Sequence, residues 1–565
     1  MAGSILLDGL WEFRFLPGAS HDSADAAKTE MTEFMAVPGC FDALKKYFGQ
    51  FGCGVYRRTV ECGGTVRLAI GGIGLAARVF WDGREIGTCL YPWSSETIVF
   101  DAGAHGRHEL RIAVDNLRGD DPSALFHNFY DFYGYGGLYD SVTLEELPEH
   151  YFERIEAIPL DIGSGKVRFR VFSAGKVPEN YKLQFFFDHA PAPACEVEAA
   201  GPLWEAVLPV PDFRIWSPDT PNLHSVTVRS SSHSISTEFG IRRIEAAGGK
   251  LLLNGKPLRL IGYNRHEAHP DFGPATPLQI MLDDLTMIRD QGCNFIRGCH
   301  YPQKEAFLSL CDRMGMLVWD ESLGWGNSEA HLKNPEFIRK QCEQTRRMVR
   351  RSINHPGVIL WGFLNEADTS VNSAREIVTK LCATIREADL SRPITFASNC
   401  CTKDVCLDLA DVISFNTYPG WYGGLERPDS IDMIEPELSR LAEFASLPEY
   451  RDKPVIISEI GASAIVGDHS GMRWSEEYQA RLLETVFRFL RNHPRCTGLL
   501  IWQFSNAKSY SCGGHSLSRP RGFNNKGLVD EYRRPKLAWH RITELLRAEP
   551  VRRGDGQPPT GVGKK

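Results

Sequence analysis

The spacing of apolar residues changes once along the chain, at about residue 240. Before that point, short apolar runs alternate with polar residues and are separated by glycine and aspartate, as in VRLAIGGI, HELRIAVDN and KVRFRVFSA. A period of two is typical of half-buried antiparallel strands. The pattern therefore predicts two consecutive β-sandwiches, one over residues 1–147 and one over residues 148–240.

From residue 241 onward, apolar runs with the length of buried strands alternate with helical patterns such as LQIMLDDLTMIRDQ and YQARLLETVFRFLRN. The predicted strands are residues 259–266, 293–300, 317–322, 358–366, 394–399, 412–418, 455–461 and 498–506. Eight βα repeats predict a (β/α)8 TIM barrel over residues 241–548. Residues 549–565 are predicted to be a disordered tail.

The overall charge and hydropathy of the chain exclude two classes of partner. The 64 lysines and arginines are outnumbered by 71 aspartates and glutamates, which leaves no excess of positive charge for nucleic acid or an anionic membrane. No apolar run approaches the roughly 20 residues that span a bilayer. Because the first residues lack the basic and apolar pattern of a signal peptide, we expect a cytoplasmic location.

The 15 cysteines cannot all pair within one chain, because their number is odd. They are scattered through predicted strands and helices and form no CxxC pair, which favours free buried thiols in a reducing compartment. Cys400, Cys401 and Cys406 lie close together in sequence, but no histidines with matching spacing accompany them. We therefore expect no metal and no cofactor.

Polar residues collect where the predicted barrel strands end. They are Arg265, His266, Glu267, His300, Asp320, Glu321, Asn365, Glu366, Asn416, Tyr418, Glu459, Trp502 and Asn506. One acid at a strand end is usually a salt-bridge partner or a helix cap. Acids, amides, histidines and aromatics together at the C-terminal mouth of a barrel instead indicate a carbohydrate pocket. Two carboxylates on separate strands suit glycoside cleavage, in which one protonates the leaving oxygen and the other attacks or stabilises the anomeric carbon.

Five segments of the chain resemble glycoside hydrolase family 2, and the resemblance covers nearly its whole length. They are GYNRHEAHP, IRGCHYPQKEAFLSLCDRMGMLVWDES, NHPGVILWGFLNEAD, VIISEIGA and IWQFSNAKS. The resemblance implies a jelly-roll-like sandwich, an immunoglobulin-like sandwich and a barrel, in that order. It also implies a retaining mechanism with Glu366 as general acid/base and Glu459 as nucleophile, their carboxyl groups about 5–5.5 Å apart. Trp502 is then expected to form the pocket floor, before a cis peptide bond to Gln503.

Within this family, the segment GFNNKGLVDEYRRPK resembles the β-glucuronidase branch. In that branch an Asn-x-Lys motif binds the substrate carboxylate, and the motif corresponds here to Asn524 and Lys526. FNTYPGWY and FYDFYGYGGLYD resemble the same branch, which implies that Tyr418, Tyr422 and Asp131 reach the pocket. A C6 carboxylate favours a cation and amide donors, because charge-assisted hydrogen bonds are the stronger kind.

The sequence departs from this branch in three places. NRHEAHP resembles the β-galactosidase branch, which leaves the preferred configuration at sugar C4 open. The arginine expected before Asn-x-Lys has two candidates, Arg519 and Arg521. The stretch after Glu321 is short, so the long lid of some bacterial glucuronidases is absent and we expect a pocket open to bulky or oligosaccharide aglycones.

We therefore expect a homo-oligomeric enzyme that hydrolyses terminal β-glucuronides. A β-galacturonide is the alternative substrate, and a β-galactoside ranks third because it has no carboxylate for Lys526 to bind. In this interpretation Asn365 binds the sugar 2-hydroxyl and His300 is another sugar ligand. A non-catalytic carbohydrate-binding protein would need neither Glu366 nor Glu459. A metal-dependent hydrolase would need ligands from His266, His269, His300 and Glu267, which lack the HExxH spacing.

Overall fold

The computed structural model describes residues 4–422, 430–491, 493–510 and 518–548. It confirms the predicted fold class of two antiparallel sandwiches followed by a parallel barrel. The predicted tail lies outside the described residues. Among the helices that the structure describes, none is long and apolar enough to cross a membrane. Every cysteine in the described ranges is a free thiol, as the sequence predicted.

The first sandwich buries alternate residues of its strands between two antiparallel sheets; in one strand, for example, Val66, Leu68 and Ile70 face the core. Its strands are β1 (Ile5–Leu6), β2 (Gly9–Pro17), β3 (Glu33–Val37), β4 (Gly39–Cys40), β5 (Gly52–Cys62), β6 (Thr65–Ile70), β7 (Ala76–Trp81), β8 (Arg84–Cys89), β9 (Glu96–Asp101), β10 (Gly106–Asp115), β11 (Gly137–Leu138) and β12 (Val142–Glu146). The strand orders are β1-β12-β6-β9 and β3-β2-β5-β10-β7-β8, and β4 pairs with β11.

The second sandwich is smaller and packs around Phe169, Phe185 and Val226. Its strands are β13 (His150–Asp161), β14 (Lys166–Gly175), β15 (Tyr181–Phe187), β16 (Cys195–Ala199), β17 (Leu203–Pro209), β18 (His224–Arg229) and β19 (Ser234–Phe239). One sheet has the order β13-β14-β17 and the other the order β16-β15-β18-β19.

A three-stranded antiparallel sheet leads into the barrel and packs against the starts of the barrel strands, where Leu251 and Leu253 meet Leu260, Phe295 and Leu317. Its strands are β20 (Ile244–Ala247), β21 (Lys250–Leu253) and β22 (Lys256–Leu258). It therefore covers the end of the barrel opposite to the one at which polar residues collect.

Eight parallel strands close the barrel, the fifth of them in two halves on either side of Phe396. They are β23 (Leu260–Arg265), β24 (Phe295–Gly298), β25 (Leu317–Glu321), β26 (Val358–Gly362), β27 (Ile394–Thr395) with β28 (Ala397–Ser398), β29 (Ile413–Asn416), β30 (Val455–Ile460) and β31 (Gly498–Ile501). β23 pairs with both β24 and β31, and the fifth strand pairs with β26 through β27 and with β29 through β28.

The helices of this region lie between the barrel strands, and the first one spans the residues predicted from its apolar spacing. They are α1 (Leu278–Gln291), α2 (Glu305–Met314), α3 (Glu329–Leu332), α4 (Pro335–Ser352), α5 (Ala374–Ala388), α6 (Ile434–Phe444), α7 (Glu476–Arg491) and α8 (Leu537–Ala548). A short ladder of β32 (Ala507–Lys508) and β33 (Phe523–Asn524) follows the eighth barrel strand.

Five barrel strands end earlier than predicted, so polar residues assigned to their ends lie in the loops beyond them. These residues are His266 after β23, His300 after β24, Asn365 and Glu366 after β26, Tyr418 after β29, and Trp502 and Asn506 after β31. For the fourth strand the reason is local. Leu364 and Glu366 have φ angles of 48° and 51°, in the left-handed region that an extended strand does not contain.

The segment between β10 and β11 extends from the first sandwich to the C-terminal mouth of the barrel. Phe126, Tyr130 and Phe132 of this segment are buried in the same apolar cluster as the barrel residues. The ring of Phe132 lies 5.3 Å from that of His266 and 5.8 Å from that of His300. Asp131 is therefore carried to the C-terminal mouth of the barrel by a loop of the first sandwich.

Candidate active site

An open cavity of about 1060 Å³ lies at the C-terminal mouth of the barrel. The residues predicted from sequence that line it are Asp131, Glu366, Tyr418, Tyr422, Glu459, Trp502 and Asn524. The structure thus brings together, in one cavity, residues from a loop of the first sandwich and from the fourth, sixth, seventh and eighth barrel strands or the loops after them.

Glu459 is the last residue but one of β30, and both of its carboxylate oxygens accept hydrogen bonds. Arg297 Nη1 donates to Oε1 at 2.8 Å, and Tyr418 Oη donates to Oε2 at 2.6 Å. Burial raises the pKa of Glu459 above its ordinary value, while the charge of Arg297 and the Tyr418 hydrogen bond oppose that rise. These two donors fix the orientation of the carboxylate and favour its ionised form.

Glu366 lies in the loop after β26 and accepts a hydrogen bond from Asn416 Nδ2 at 3.0 Å. Burial and, after it, the negative charge of Glu459 raise the pKa of Glu366 to about 8. Glu366 is therefore mostly protonated at neutral pH. Two carboxyl groups whose surroundings differ in this way suit one proton donor and one ionised partner.

Arg297, near the end of β24, connects the polar side chains between these two acids by hydrogen bonds. Its guanidinium donates to both oxygens of Glu321, at 2.8 and 2.9 Å, and to Asn365 Oδ1 at 2.8 Å, besides its bond to Glu459. It is fully buried. Arg297 was not among the site residues predicted from sequence, although an arginine inside the apolar strand FIRG indicates a buried acidic partner, because an unpaired buried charge is costly.

Asn365 and His300 keep polar atoms available for a ligand. Asn365 Nδ2 and His300 Nε2 are both buried, and neither has a hydrogen-bond partner among the described residues. The imidazole of His300 stacks on Trp502, with ring centroids 5.1 Å apart. Burial and the nearby charge of Arg297 hold the pKa of His300 well below its ordinary value, so the ring is neutral. The predicted cis peptide bond between Trp502 and Gln503 is present.

Lys526 is buried, with 1% of its surface exposed, and Nζ donates to Tyr422 Oη at 2.6 Å. In the part of the chain that the structure describes, Lys526 forms no salt bridge with an acidic residue. Burial lowers its pKa below the ordinary value, and the charge of Arg519 adds to that effect. The neighbouring Asn524 donates from Nδ2 to Asp131 Oδ2 at 3.3 Å.

The structure distinguishes the two candidate arginines. Arg519 is buried and forms an ion pair with Asp131, with Nε 2.8 and 2.9 Å from the two carboxylate oxygens. Burial alone would raise the pKa of Asp131, but Arg519 holds it below its ordinary value. Arg521 points elsewhere: it pairs with Glu531 at 2.9 Å, and its side chain is 55% exposed. Only Arg519 thus adjoins the cavity wall.

The histidines that suggested a metal site are only partly brought together. Among the described residues, His266, Cys299 and His300 place possible ligand atoms within 4.8 Å of one another. His269 lies apart from them, against Phe272 and Tyr532. Burial lowers the pKa of both His266 and His300, and the positive charge of Arg297 acts in the same direction on both. The cluster therefore disfavours a second cation.

A closed (β/α)8 barrel with two buried glutamates of unequal pKa at its C-terminal mouth, surrounded by amides, histidine and tryptophan, is an arrangement suited to glycoside cleavage. Residues 244–542 match the family described as "Glycosyl hydrolases family 2, TIM barrel domain". The chain belongs to glycosyl hydrolase family 2.

Relatives within that family include β-glucuronidases and a β-galacturonidase. The chain is 31% identical to the Mus musculus β-glucuronidase over 72% of its own length, and the match spans 63% of the mouse protein. It is 32% identical to the structure of an Eisenbergiella tayi β-galacturonidase bound to galacturonate, with a TM-score of 0.88 and 97% of both chains covered. For a Faecalibacterium prausnitzii β-glucuronidase the identity is 25% and the TM-score 0.86, over 97% of this chain and 98% of the other.

Proposed function

We propose that this protein removes terminal β-linked hexuronic acids from glycosides, by a two-step displacement that retains the anomeric configuration. The observation that carries the proposal is Lys526, a buried ammonium group without an acidic partner in the described residues. Burying such a charge is costly unless an opposite charge completes the site. The C6 carboxylate of a hexuronate supplies that charge, and Asn524 supplies an amide donor beside it.

In the proposed first step, Glu366 transfers its proton to the glycosidic oxygen while Glu459 attacks the anomeric carbon. The aglycone leaves as an alcohol, and the sugar remains covalently attached to Glu459. In the second step Glu366, now ionised, takes a proton from water, and the resulting hydroxide displaces Glu459 from the anomeric carbon. Asn365 Nδ2, which lacks a partner in the described residues, is available to donate to the sugar 2-hydroxyl.

A panel of p-nitrophenyl β-glycosides tests the proposal. The panel contains the glucuronide, galacturonide, glucoside and galactoside, which differ only at C4 and C6. Both uronides should be cleaved with a higher kcat/KM than the neutral sugars of the same C4 configuration. A clear preference for the plain galactoside would refute the hexuronidase assignment.

The glucuronide is our first candidate and the galacturonide the second. The second is supported by the Eisenbergiella tayi β-galacturonidase, which is 32% identical over 97% of this chain, whereas the mouse β-glucuronidase matches 72% of it. Lys526 cannot decide between them, because both sugars carry the same carboxylate. The kcat/KM ratio of the two uronides, measured side by side, decides the preferred C4 configuration.

The retaining mechanism has its own test. A two-step displacement leaves the first-formed sugar in the β configuration, before mutarotation mixes the anomers. Proton NMR of the anomeric signal in the first minutes of hydrolysis should therefore show the β-anomer. An α-anomer at the earliest time points would establish a single displacement instead.

A further inference from the structure

The segment that carries Asn524 and Lys526 has a short ladder as its regular structure. Its strand β33 pairs with β32 over two residues, Phe523 and Asn524. Beyond that ladder the backbone is held by other loops; Lys526 O, for example, accepts a hydrogen bond from Gln503 N at 3.1 Å. The place of the two side chains proposed to bind the carboxylate therefore depends on contacts with neighbouring parts of the barrel region.

Lys536, the residue before α8, has a buried ammonium group that contacts this segment. It is 1% exposed, and Nζ donates to Ala464 O at 2.9 Å, Asn506 Oδ1 at 3.0 Å and Asn525 O at 2.9 Å. An ammonium group has three N–H donors and no acceptor, so these three bonds use its whole hydrogen-bonding capacity. Lys536 has no donor left for a substrate, and any effect on recognition acts through its three partners.

The three acceptors belong to three separate loops at the cavity end of the barrel. Ala464 follows β30, Asn506 follows β31, and Asn525 lies between the two side chains proposed to bind the carboxylate. These loops also bond to one another. Ala464 N donates to Asn525 O at 3.0 Å, and Asn506 Oδ1 accepts from Gly527 N at 3.2 Å. The ammonium group thus completes a network that fixes the backbone over residues 525–527.

A lysine suits this place better than a neutral side chain of similar length. Lys536 forms no ion pair with the residues that the structure describes, so two backbone carbonyls and one side-chain amide oxygen stabilise its charge. A buried charge requires such partners, because an unmet one is costly. Glutamine has two N–H donors and methionine has none, so neither can fix three loops at one atom.

We propose that Lys536 is a positioning residue for recognition of the uronate: it fixes the backbone between Asn524 and Lys526 and thereby places both side chains for the substrate carboxylate. This inference rests on the proposed function and extends it to a residue that does not contact the substrate. Glu459 is held independently, by Arg297 and Tyr418. Loss of Lys536 should therefore weaken binding of the carboxylate without slowing the chemical step.

Lys536→Met tests the inference, because methionine keeps the apolar stem of lysine but donates no hydrogen bond. Assays at pH 6 keep the wild-type ammonium group protonated, since burial lowers the pKa of Lys536 to about 7. For the preferred p-nitrophenyl uronide we expect KM to rise by about tenfold or more while kcat stays within about threefold, the pattern of lost substrate binding. For the neutral glycoside of the same C4 configuration, kcat/KM should stay within about threefold.

A double variant shows whether Lys536 acts through Lys526. In the Lys526→Ala background the substrate has already lost its cationic partner, so Lys536→Met should lower kcat/KM for the uronide by only about threefold or less. An undiminished tenfold loss in that background would mean that Lys536 acts by another route, and would overturn the inference.

Lys304→Met is the matched control, since Lys304 is also a buried lysine, 5% exposed, whose Nζ donates to a backbone oxygen, Tyr139 O, at 3.0 Å. It should lower the thermal unfolding midpoint but leave the ratio of kcat/KM between uronide and neutral glycoside unchanged. If Lys536→Met does not fold, Lys536→Gln, which keeps two donors, should show a smaller rise in KM that is again confined to the uronide.

The outcomes separate the inference from the proposed function. Equal losses on uronide and neutral glycoside in the Lys536 variants, or an unchanged KM for the uronide, would overturn the inference and leave the proposed function standing. A wild-type enzyme without a preference for uronides would overturn both.

Discussion

Lys526 is the residue whose surroundings are hardest to explain without a ligand. Its ammonium group is buried among Tyr418, Trp421 and Tyr422, with Nζ 4.8–5.8 Å from the three ring centroids. Aromatic faces attract a cation, but they do not replace a full opposite charge. A substrate carboxylate beside Nζ would supply that charge and return the pKa of Lys526 toward its ordinary value.

Lys526→Ala should sharply lower kcat/KM for the preferred p-nitrophenyl uronide. Hydrogen bonds to charged groups contribute about 1.5–3 kcal/mol, so we expect a loss of roughly 10- to 150-fold. The loss should lie at the upper end, because the carboxylate is left desolvated and unpaired. Residual activity on the neutral glycoside of the same C4 configuration should hardly change. Equal losses on both substrates would mean that Lys526 supports the fold of its loop and does not bind the acid.

Glu459→Gln should lower kcat by several orders of magnitude without lowering the thermal unfolding midpoint, because the amide cannot attack the anomeric carbon.

For Glu366→Gln the loss of kcat should depend on the leaving group. It should be small for p-nitrophenyl uronides, which need little protonation, and large for alkyl uronides. Steady-state kinetics on the two substrate types measure this difference. Near-wild-type rates of either variant on an alkyl uronide would exclude that residue from its proposed role.

The raised pKa of Glu366 also affects stability. In the unfolded chain this carboxyl titrates near its ordinary value of 4.5, and in the folded protein near 8. Between these values the folded protein holds a proton that the unfolded chain has lost, so its free energy of unfolding falls as pH rises. Glu366→Gln removes this dependence.

Differential scanning calorimetry should therefore find the Glu366→Gln variant more stable than the wild type at pH 8, with the difference shrinking toward pH 5. Glu435→Gln, at an exposed position on α6, is the matched control and should lack this trend. A stability difference that stays constant across the pH range would show that the buried charge of Glu366 is not its cause.

At the scale of elements, the Arg519–Asp131 ion pair connects the loop between β10 and β11 with the segment that precedes β33. Removing one partner of a buried pair leaves an uncompensated charge and typically lowers the free energy of unfolding by about 3–5 kcal/mol, and here it also leaves the cavity wall without a fixed Asp131. We expect Asp131→Ala and Arg519→Ala each to lower kcat/KM for the uronide strongly. The double variant should lose much less than the sum of the two, and a double-mutant cycle in kcat/KM measures the coupling. Arg521→Ala is the control, since Arg521 pairs with Glu531 at the surface. Additive losses would show that the two residues act independently.

The barrel elements and the position of both glutamates at the barrel mouth could be predicted from sequence, because buried strands and amphipathic helices have their own periods and the family motifs are continuous segments. The pairing of Asp131 with Arg519 could not, since 388 residues separate them and no local pattern records which distant loops meet. The role of Arg297 was missed for a related reason. Its partners Glu321, Asn365 and Glu459 lie on three other strands or loops, and only closure of the barrel brings them together. The early end of β26 depends on the left-handed backbone angles of Leu364 and Glu366, which apolar spacing does not encode.

At the scale of the whole molecule, the two sandwiches contribute differently to the site. The first sandwich inserts Phe126, Tyr130 and Phe132 into the apolar cluster of the barrel, whereas the second keeps a core of its own. Asp131 reaches the cavity only because that inserted segment is held there. Glu366, Glu459 and Asn524 belong to the barrel region, so among the described residues Asp131 is the side chain that the first sandwich adds to a cavity lined otherwise by barrel residues.

Because Asp131 comes from a different domain than Glu366 and Glu459, the segment that carries it can be engineered separately from them. In the proposed mechanism, bond cleavage depends on barrel residues that must keep their mutual geometry, whereas the segment carrying Asp131 belongs to a sandwich whose strands lie outside the cavity. Exchange of the β10–β11 segment between family members, together with Arg519 of the barrel region, offers a route to new sugar selectivity that leaves the strands before Glu366 and around Glu459 unchanged. A library of such grafts could sample stereochemical preference while leaving the chemical step intact.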